Sequence, residues 1–180
     1  MQKTKTHNMV IAALLCAIGI VIPMFFPKVV IEPASFTLAS HVPIFIAMFI
    51  SPSIAAAVSL GTTLGFLVSG LPPIVVLRAF SHLLFAYVGS RYYHKHTDKM
   101  TKFSTITIWA LAVSVLHGIG EFIVVTLFYF GGNVNKNFYE NGFFVSVFVL
   151  VFIGTIIHSM VDFFISYFVA KPMKLIKTEK

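Results

Sequence analysis

From Phe103 to Phe130 the chain is apolar and carries ionisable groups only at His117 and Glu121, near the centre of the run. A run of that length crosses a bilayer as a helix. Inside lipid an ionisable side chain is costly, faces the protein interior and marks function with a partner close by. The spacing of four in Leu116-His117-Gly118-Ile119-Gly120-Glu121 stacks both side chains on one helix face. Two other apolar runs repeat the pattern, as Arg78-x-x-x-His82 and His158-x-x-x-Asp162. Three polar stripes inside lipid predict a site built in the interior of a bundle.

Composition narrows the class. Hydrophobic residues make up 58% of the chain and charged residues 11%, and the mean hydropathy is +0.93. At roughly 20 residues per span, the 180 residues predict an all-α, polytopic membrane protein with six transmembrane helices. It forms one integral membrane domain, 1–180, with no room for a soluble one. The net charge of +7 does not point to nucleic acid, because the basic residues sit at segment ends and read as topology signals. The lone Cys16 gives no disulfide framework and reads as a small packing residue. Basic residues before an apolar run resemble a signal peptide, but the run Met9–Phe26 is span-length and leads into further membrane segments, so it reads as a retained first span.

Taken in order, span one covers Met9–Phe26, with Pro23 and Pro27 disturbing its outer end. The loop Lys28–Ser40 follows. Span two, His41–Ile50, is too short to cross upright; it is either lengthened by loop residues or buried as a short helix among the others. Ser51-Pro52 makes a tight turn into span three, Ser53–Val68, whose Ala, Gly, Ser and Thr suit close helix packing in lipid. Span four runs over Ile74–Tyr92, span five over Phe103–Phe130 and span six over Gly142–Ala170. Polar loops at Tyr93–Lys102 and Gly131–Asn141 separate the last three.

Orientation follows from the basic residues. Lys3, Lys5, Arg91, Lys95, Lys99, Lys102, Lys171, Lys174, Lys177 and Lys180 fall on one side, against Lys28 and Lys136 on the other. The positive-inside bias predicts both termini in the cytoplasm. Counting at 1.5 Å per residue then puts Arg78 roughly 6 Å, His82 roughly 12 Å, Glu121 roughly 13 Å and His117 roughly 20 Å below the outer surface. On the same count His158 and Asp162 lie deeper, towards the cytoplasm.

Arg78 offers a permanently charged fork for a carboxylate or phosphate entering from outside; the alternative is that it pairs with Glu121 or snorkels to the interface. His82 and His117 can each donate to and accept from a heteroaromatic ring, or bridge helices. Glu121 reads as a ligand partner or as the counter-ion of Arg78. His158 and Asp162 read as a helix-to-helix hydrogen bond, and Phe36 in the outer loop as a cover for an aromatic ligand. His82, His117, His158 and Glu121 are possible ligands of a transition ion. They form no short ligand motif, His41 is no better placed, and no metal or other cofactor is expected. The chain lacks H-E-x-x-H, a Walker loop and G-x-S-x-G, so no catalytic residue is expected. Ala13-x-x-x-Ala17 lets another helix approach closely, from within the chain or from a second protein.

Together these features resemble the substrate-binding S components of energy-coupling factor (ECF) vitamin transporters. The resemblance covers nearly the whole chain: its size, six spans with both ends inside, Ala13-x-x-x-Ala17, Pro33-Ala34-Ser35-Phe36-Thr37-Leu38 through His41-Val42-Pro43-Ile44, and the small-residue third span. Ser51-Pro52 departs from the Gly-Pro of many members. The resemblance implies a non-enzymatic subunit of the bacterial plasma membrane, docked through Ala13 and Ala17 on a transmembrane scaffold (T) component driven by two ATPase subunits. It also implies a vitamin site near the outer face, capped by the first loop, at Phe36, Arg78, His82, His117 and Glu121. The run Ser35–Pro52 with Arg78-Ala79-Phe80-Ser81-His82 looks most like niacin-specific members; pyridoxine, pantothenate or a thiamine precursor also suits such a pocket. The rival reading is a stand-alone proton- or cation-coupled carrier, with His117-Glu121 and His158-Asp162 as its relay.

Overall fold

The computed structural model describes residues 5–31 and 34–176. Lys3, Lys177 and Lys180 of the basic pattern, and Glu32 and Pro33 of the first loop, lie outside them, as do the side chains of Lys5 and Ser35. The chain folds as α1 (Lys5–Phe25), a hairpin of β1 (Lys28–Ile31) and β2 (Ala34–Thr37), α2 (Val42–Ile50), α3 (Pro52–Val68), α4 (Pro73–Lys95) and α5 (Phe103–Phe130). A short α6 (Lys136–Glu140) and a long α7 (Phe144–Ala170) complete it. The first ten residues of α7, Phe144–Ile153, are wound as a π-helix.

Among the described residues four helices are long and apolar enough to cross a membrane: Thr6–Phe25, Pro73–Lys95, Phe103–Phe130 and Phe144–Ala170. The second and third expected spans are shorter, 9 residues in α2 and 17 in α3. Local chemistry sets their ends. The hydroxyl of Ser51 accepts from the backbone N–H of Ile54 at 3.2 Å, and Pro52 fills the first helical position, where no N–H is needed.

The short second segment is the buried alternative of the two. Every residue from Pro43 to Phe49 is buried, and α2 packs against α1, α3, α4 and α7. A helix buried this way exposes its unpaired end groups to an apolar interior, where each costs a lost hydrogen bond. Neighbouring side chains answer both ends. At the C-terminal end, Ser90 Oγ donates to the Met48 carbonyl at 2.8 Å, and His94 Nε2 donates to the same oxygen at 3.1 Å. At the N-terminal end, Asp162 of α7 accepts from the backbone N–H groups of Ala39 and His41, each at 2.8 Å. Between the two ends, Phe45 lies against Phe85 and Phe163, and Phe49 against Tyr93 and Trp109.

The all-α expectation is corrected in one place, because the first loop is partly a β-hairpin. Lys28 pairs with Thr37, Val29 with Phe36, Val30 with Ser35 and Ile31 with Ala34. The β-branched run Val29-Val30-Ile31 suits a strand. Pro23 lies within α1, which continues through it to Phe25.

α1 lies on α3 through Cys16, Gly19 and Ile20, with the Cys16 thiol directed at the carbonyls of Ala57 and Val58. A Cβ at Gly61 would stand 2.5 Å from Cys16 Sγ. Gly61→Ala is therefore expected to destabilise the protein by about 1–3 kcal/mol, the usual cost of overpacking, and Cys16→Ala in the same chain to restore most of the loss. Thermal unfolding of the detergent-purified variants reads both.

Candidate functional site

The residues flanking His117 and Glu121 explain how two polar side chains on one helix reach three neighbours. A Cβ at Gly120 would meet Ser81 of α4 at 3.2 Å, and one at Gly118 would meet Phe152 and Ile156 of α7 at 3.0–3.1 Å. The two glycines thus let α4 and α7 come in close to α5 at the level of His117 and Glu121. Glu121 is buried and accepts from Arg78 Nε and from His82 Nε2 at 3.0 Å. His117 Nε2 stands 3.6 Å from the same carboxylate, beyond hydrogen-bond reach, and among the described residues it has no hydrogen-bond partner. Its other ring nitrogen meets Ser159 Oγ at 3.3 Å, and that hydroxyl also accepts from Ser114 at 3.2 Å.

A second carboxylate organises the other half. Besides the two backbone N–H groups, Asp162 takes His41 Nδ1 at 3.1 Å. An ionised carboxylate only accepts, so His41 donates to it from Nδ1. Ala39 stands at φ 67, a left-handed conformation uncommon for a side chain other than glycine, and the hydrogen bond from its N–H to Asp162 holds it there. Ser40 Oγ reaches His158 Nε2 at 3.0 Å.

Four imidazoles meet between the two carboxylates. The ring of His41 lies 4.9 Å from that of His82, 4.6 Å from His117 and 5.1 Å from His158, and His82 lies 4.7 Å from His117. They open onto a cavity of about 370 Å³, within the usual range of small-molecule sites. Phe36 borders it from the hairpin, where its ring lies 5.4 Å from that of His158. On α7 the absent side chain of Gly154 leaves room for the Phe36 ring. Arg78 is about a quarter exposed, 28%, and borders the cavity. Only its Nε is engaged; among the described residues no hydrogen bond is made by its two terminal nitrogens.

Comparison with known proteins gives two findings. Over 135 residues the sequence is 44% identical to the niacin transporter NiaX of Lactococcus lactis subsp. cremoris, a stretch that makes up 74% of this chain and 61% of that protein. The fold is similar to that of ThiT from Listeria monocytogenes, with a TM-score of 0.60 and 14% identity over 93% of this chain and 96% of that one. The chain is thus similar in sequence to a niacin transporter and in fold to ThiT. It is aligned with less than two thirds of the length of its NiaX relative. No family model matches the sequence.

Phe36, Arg78, His82, His117 and Glu121 all border one cavity. Arg78 and Glu121 are paired, yet the pair leaves the end of the guanidinium unclaimed, so the two alternatives read for Arg78 do not exclude each other. Ala13 and Ala17 are both exposed on the outer face of α1, away from α3. Two expectations are corrected. His158 and Asp162 do not lie apart from the outer group but join it through His41, because counting along upright α-helices ignores tilt and the π-wound start of α7, whose turns hold more residues. His41 is not a bystander but the centre of the imidazole cluster. Its signal was span two itself: once that segment is a buried helix, the histidine at its entrance is an interior residue.

Asp162→Asn replaces an acceptor by an amide that must face N–H donors. It is expected to destabilise the fold by about 2–3 kcal/mol, against little change for His158→Gln, as read by thermal unfolding in detergent.

Proposed function

We propose that this chain captures a small anionic vitamin, nicotinic acid (niacin), from outside the cell and passes it inward as the substrate-specific subunit of an ATP-driven ECF transporter. The observation that carries the reading is the half-engaged guanidinium of Arg78. Arg78 is fixed by Glu121 through Nε and borders the cavity, so its two terminal nitrogens remain as a two-pronged donor for a carboxylate. The imidazoles of His82 and His117 supply the polar edges and faces that suit a pyridine ring, and Phe36 covers it from the hairpin. The kinship with a protein named as a niacin transporter supports the same cargo.

In this reading the chain crosses the bacterial plasma membrane six times with both termini in the cytoplasm. α3, at 17 residues, is at the lower limit for a span, and α2 makes the second crossing as a short helix buried among the others. The exposed Ala13 and Ala17 on α1 receive a scaffold component, which two ATPase subunits drive. The chain itself performs no catalysis.

Isothermal titration of the detergent-purified chain, alone, tests the cargo. Nicotinate is expected to bind tightest among nicotinate, nicotinamide, pyridoxine, pantothenate and a thiamine precursor; silence from folded protein would favour the carrier reading, which gradient-driven uptake by this chain alone in vesicles would establish. Arg78→Ala is expected to weaken nicotinate binding by about a hundredfold or more while His82 still holds Glu121 and the fold is kept. Ala13→Leu and Ala17→Leu are expected to bind nicotinate normally and to abolish uptake in cells supplying the partner subunits, since a bulky side chain blocks close helix approach.

A further inference from the structure

Three of the four imidazoles have the arrangement of a metal-binding set, and one atom in it has no other use. His41, His82 and His117 come from the turn before α2, from α4 and from α5, and each offers a ring nitrogen within 4.8 Å of the other two. All three are buried. His117 Nε2 is buried without a hydrogen-bond partner among the described residues, which in an apolar interior costs as much as a lost hydrogen bond. A ligand that accepts its lone pair removes that cost.

The surroundings have the features of an outer coordination shell. Metal-binding histidines usually give their second ring nitrogen to a carboxylate or another polar group, which fixes the ring and the tautomer. His41 sets Nδ1 against Asp162 and His117 sets Nδ1 against Ser159, which leaves the Nε2 of each ring as the atom placed for an ion. The neighbouring set of His41, His158 and Asp162 is a poorer candidate. Both oxygens of Asp162 are already taken by Ala39, His41 and the His41 ring. Imidazole donors select borderline transition ions rather than magnesium or calcium. The Glu121 carboxylate beside His82 and His117 offsets the added charge.

We propose that His41, His82 and His117 bind one divalent transition ion of the zinc type at the wall of the cavity, with its remaining position open to the cavity and the ligand held there. A tetrahedral ion with bonds of about 2.0–2.1 Å brings its nitrogens to about 3.3 Å from one another, a closure that small rotations of the three rings supply. The site stands on these side chains and does not rest on the identity of the vitamin.

The test uses the full chain without a histidine tag, stripped by a chelator and titrated in detergent with Co²⁺, followed by the visible absorption of the four-coordinate ion, and then with Zn²⁺. One Co²⁺ per chain, displaced by Zn²⁺, is expected. His117→Gln should lose it; because His117 Nε2 has no hydrogen-bond partner among the described residues, this variant is expected to stay folded, as its unfolding temperature will show. Ser159→Ala should bind about tenfold more weakly, the usual effect of an outer-shell partner, and His158→Gln should bind as the parent does. Absence of stoichiometric uptake by the folded parent, uptake that survives in His117→Gln, or loss confined to His158→Gln would each overturn the site. Nicotinate titrated into the stripped and the loaded chain separates this inference from the vitamin reading: binding of nicotinate without any metal uptake removes the metal site alone, and metal uptake without nicotinate binding removes the cargo alone.

Discussion

The carboxylate of Asp162 holds the structure at the point where it is hardest to hold. A nine-residue helix buried from Pro43 to Phe49 must find partners for its end groups among the side chains packed around it. Asp162 supplies the acceptor for two N–H groups of the turn that opens the helix, where the partial positive charge of the helix end also favours an anion. The same carboxylate holds the His41 ring through Nδ1. One side chain on α7 thereby sets the entrance of α2, the left-handed Ala39 and the ring at the centre of the site.

Glu121 plays the complementary part. Asp162 serves backbone, whereas Glu121 serves side chains, gathering Arg78 and His82 from α4 beside His117 on its own helix. Burying a carboxylate without partners would be prohibitive in this setting; with a guanidinium and an imidazole it becomes a fixed base on which Arg78 is oriented. A guanidinium has five N–H donors, so one bond to Glu121 leaves donors over for the cavity. Structural pairing and ligand recognition are compatible in the same residue for that reason.

Close approach is what brings these groups together. Gly118 and Gly120 bracket Ile119 on α5 and remove the side chains that would hold α7 and α4 away. The hairpin follows the same rule, with Phe36 settling where Gly154 leaves space on α7. The cavity beneath it is bounded by elements far apart in sequence, including β2, α4, α5 and α7.

By itself the sequence determined the membrane class, the helical segments and the stripes Arg78/His82, His117/Glu121 and His158/Asp162, because hydropathy, helical spacing and the cost of charge in lipid act locally along the chain. It also determined that Phe36 and the outer stripes belong near one another, through the resemblance to the S-component family. The fate of the short second segment, the pairing of Lys28–Ile31 with Ala34–Thr37 and the central place of His41 were decided only by the tertiary structure. Each depends on what a distant element supplies: Asp162 and Ser90 for the ends of α2, strand partners for the hairpin, and the π-wound start of α7 for the level at which His158 meets the cluster. A residue's spacing fixes the helix face it lies on, but the winding and tilt of its helix fix the height at which that face meets its neighbours.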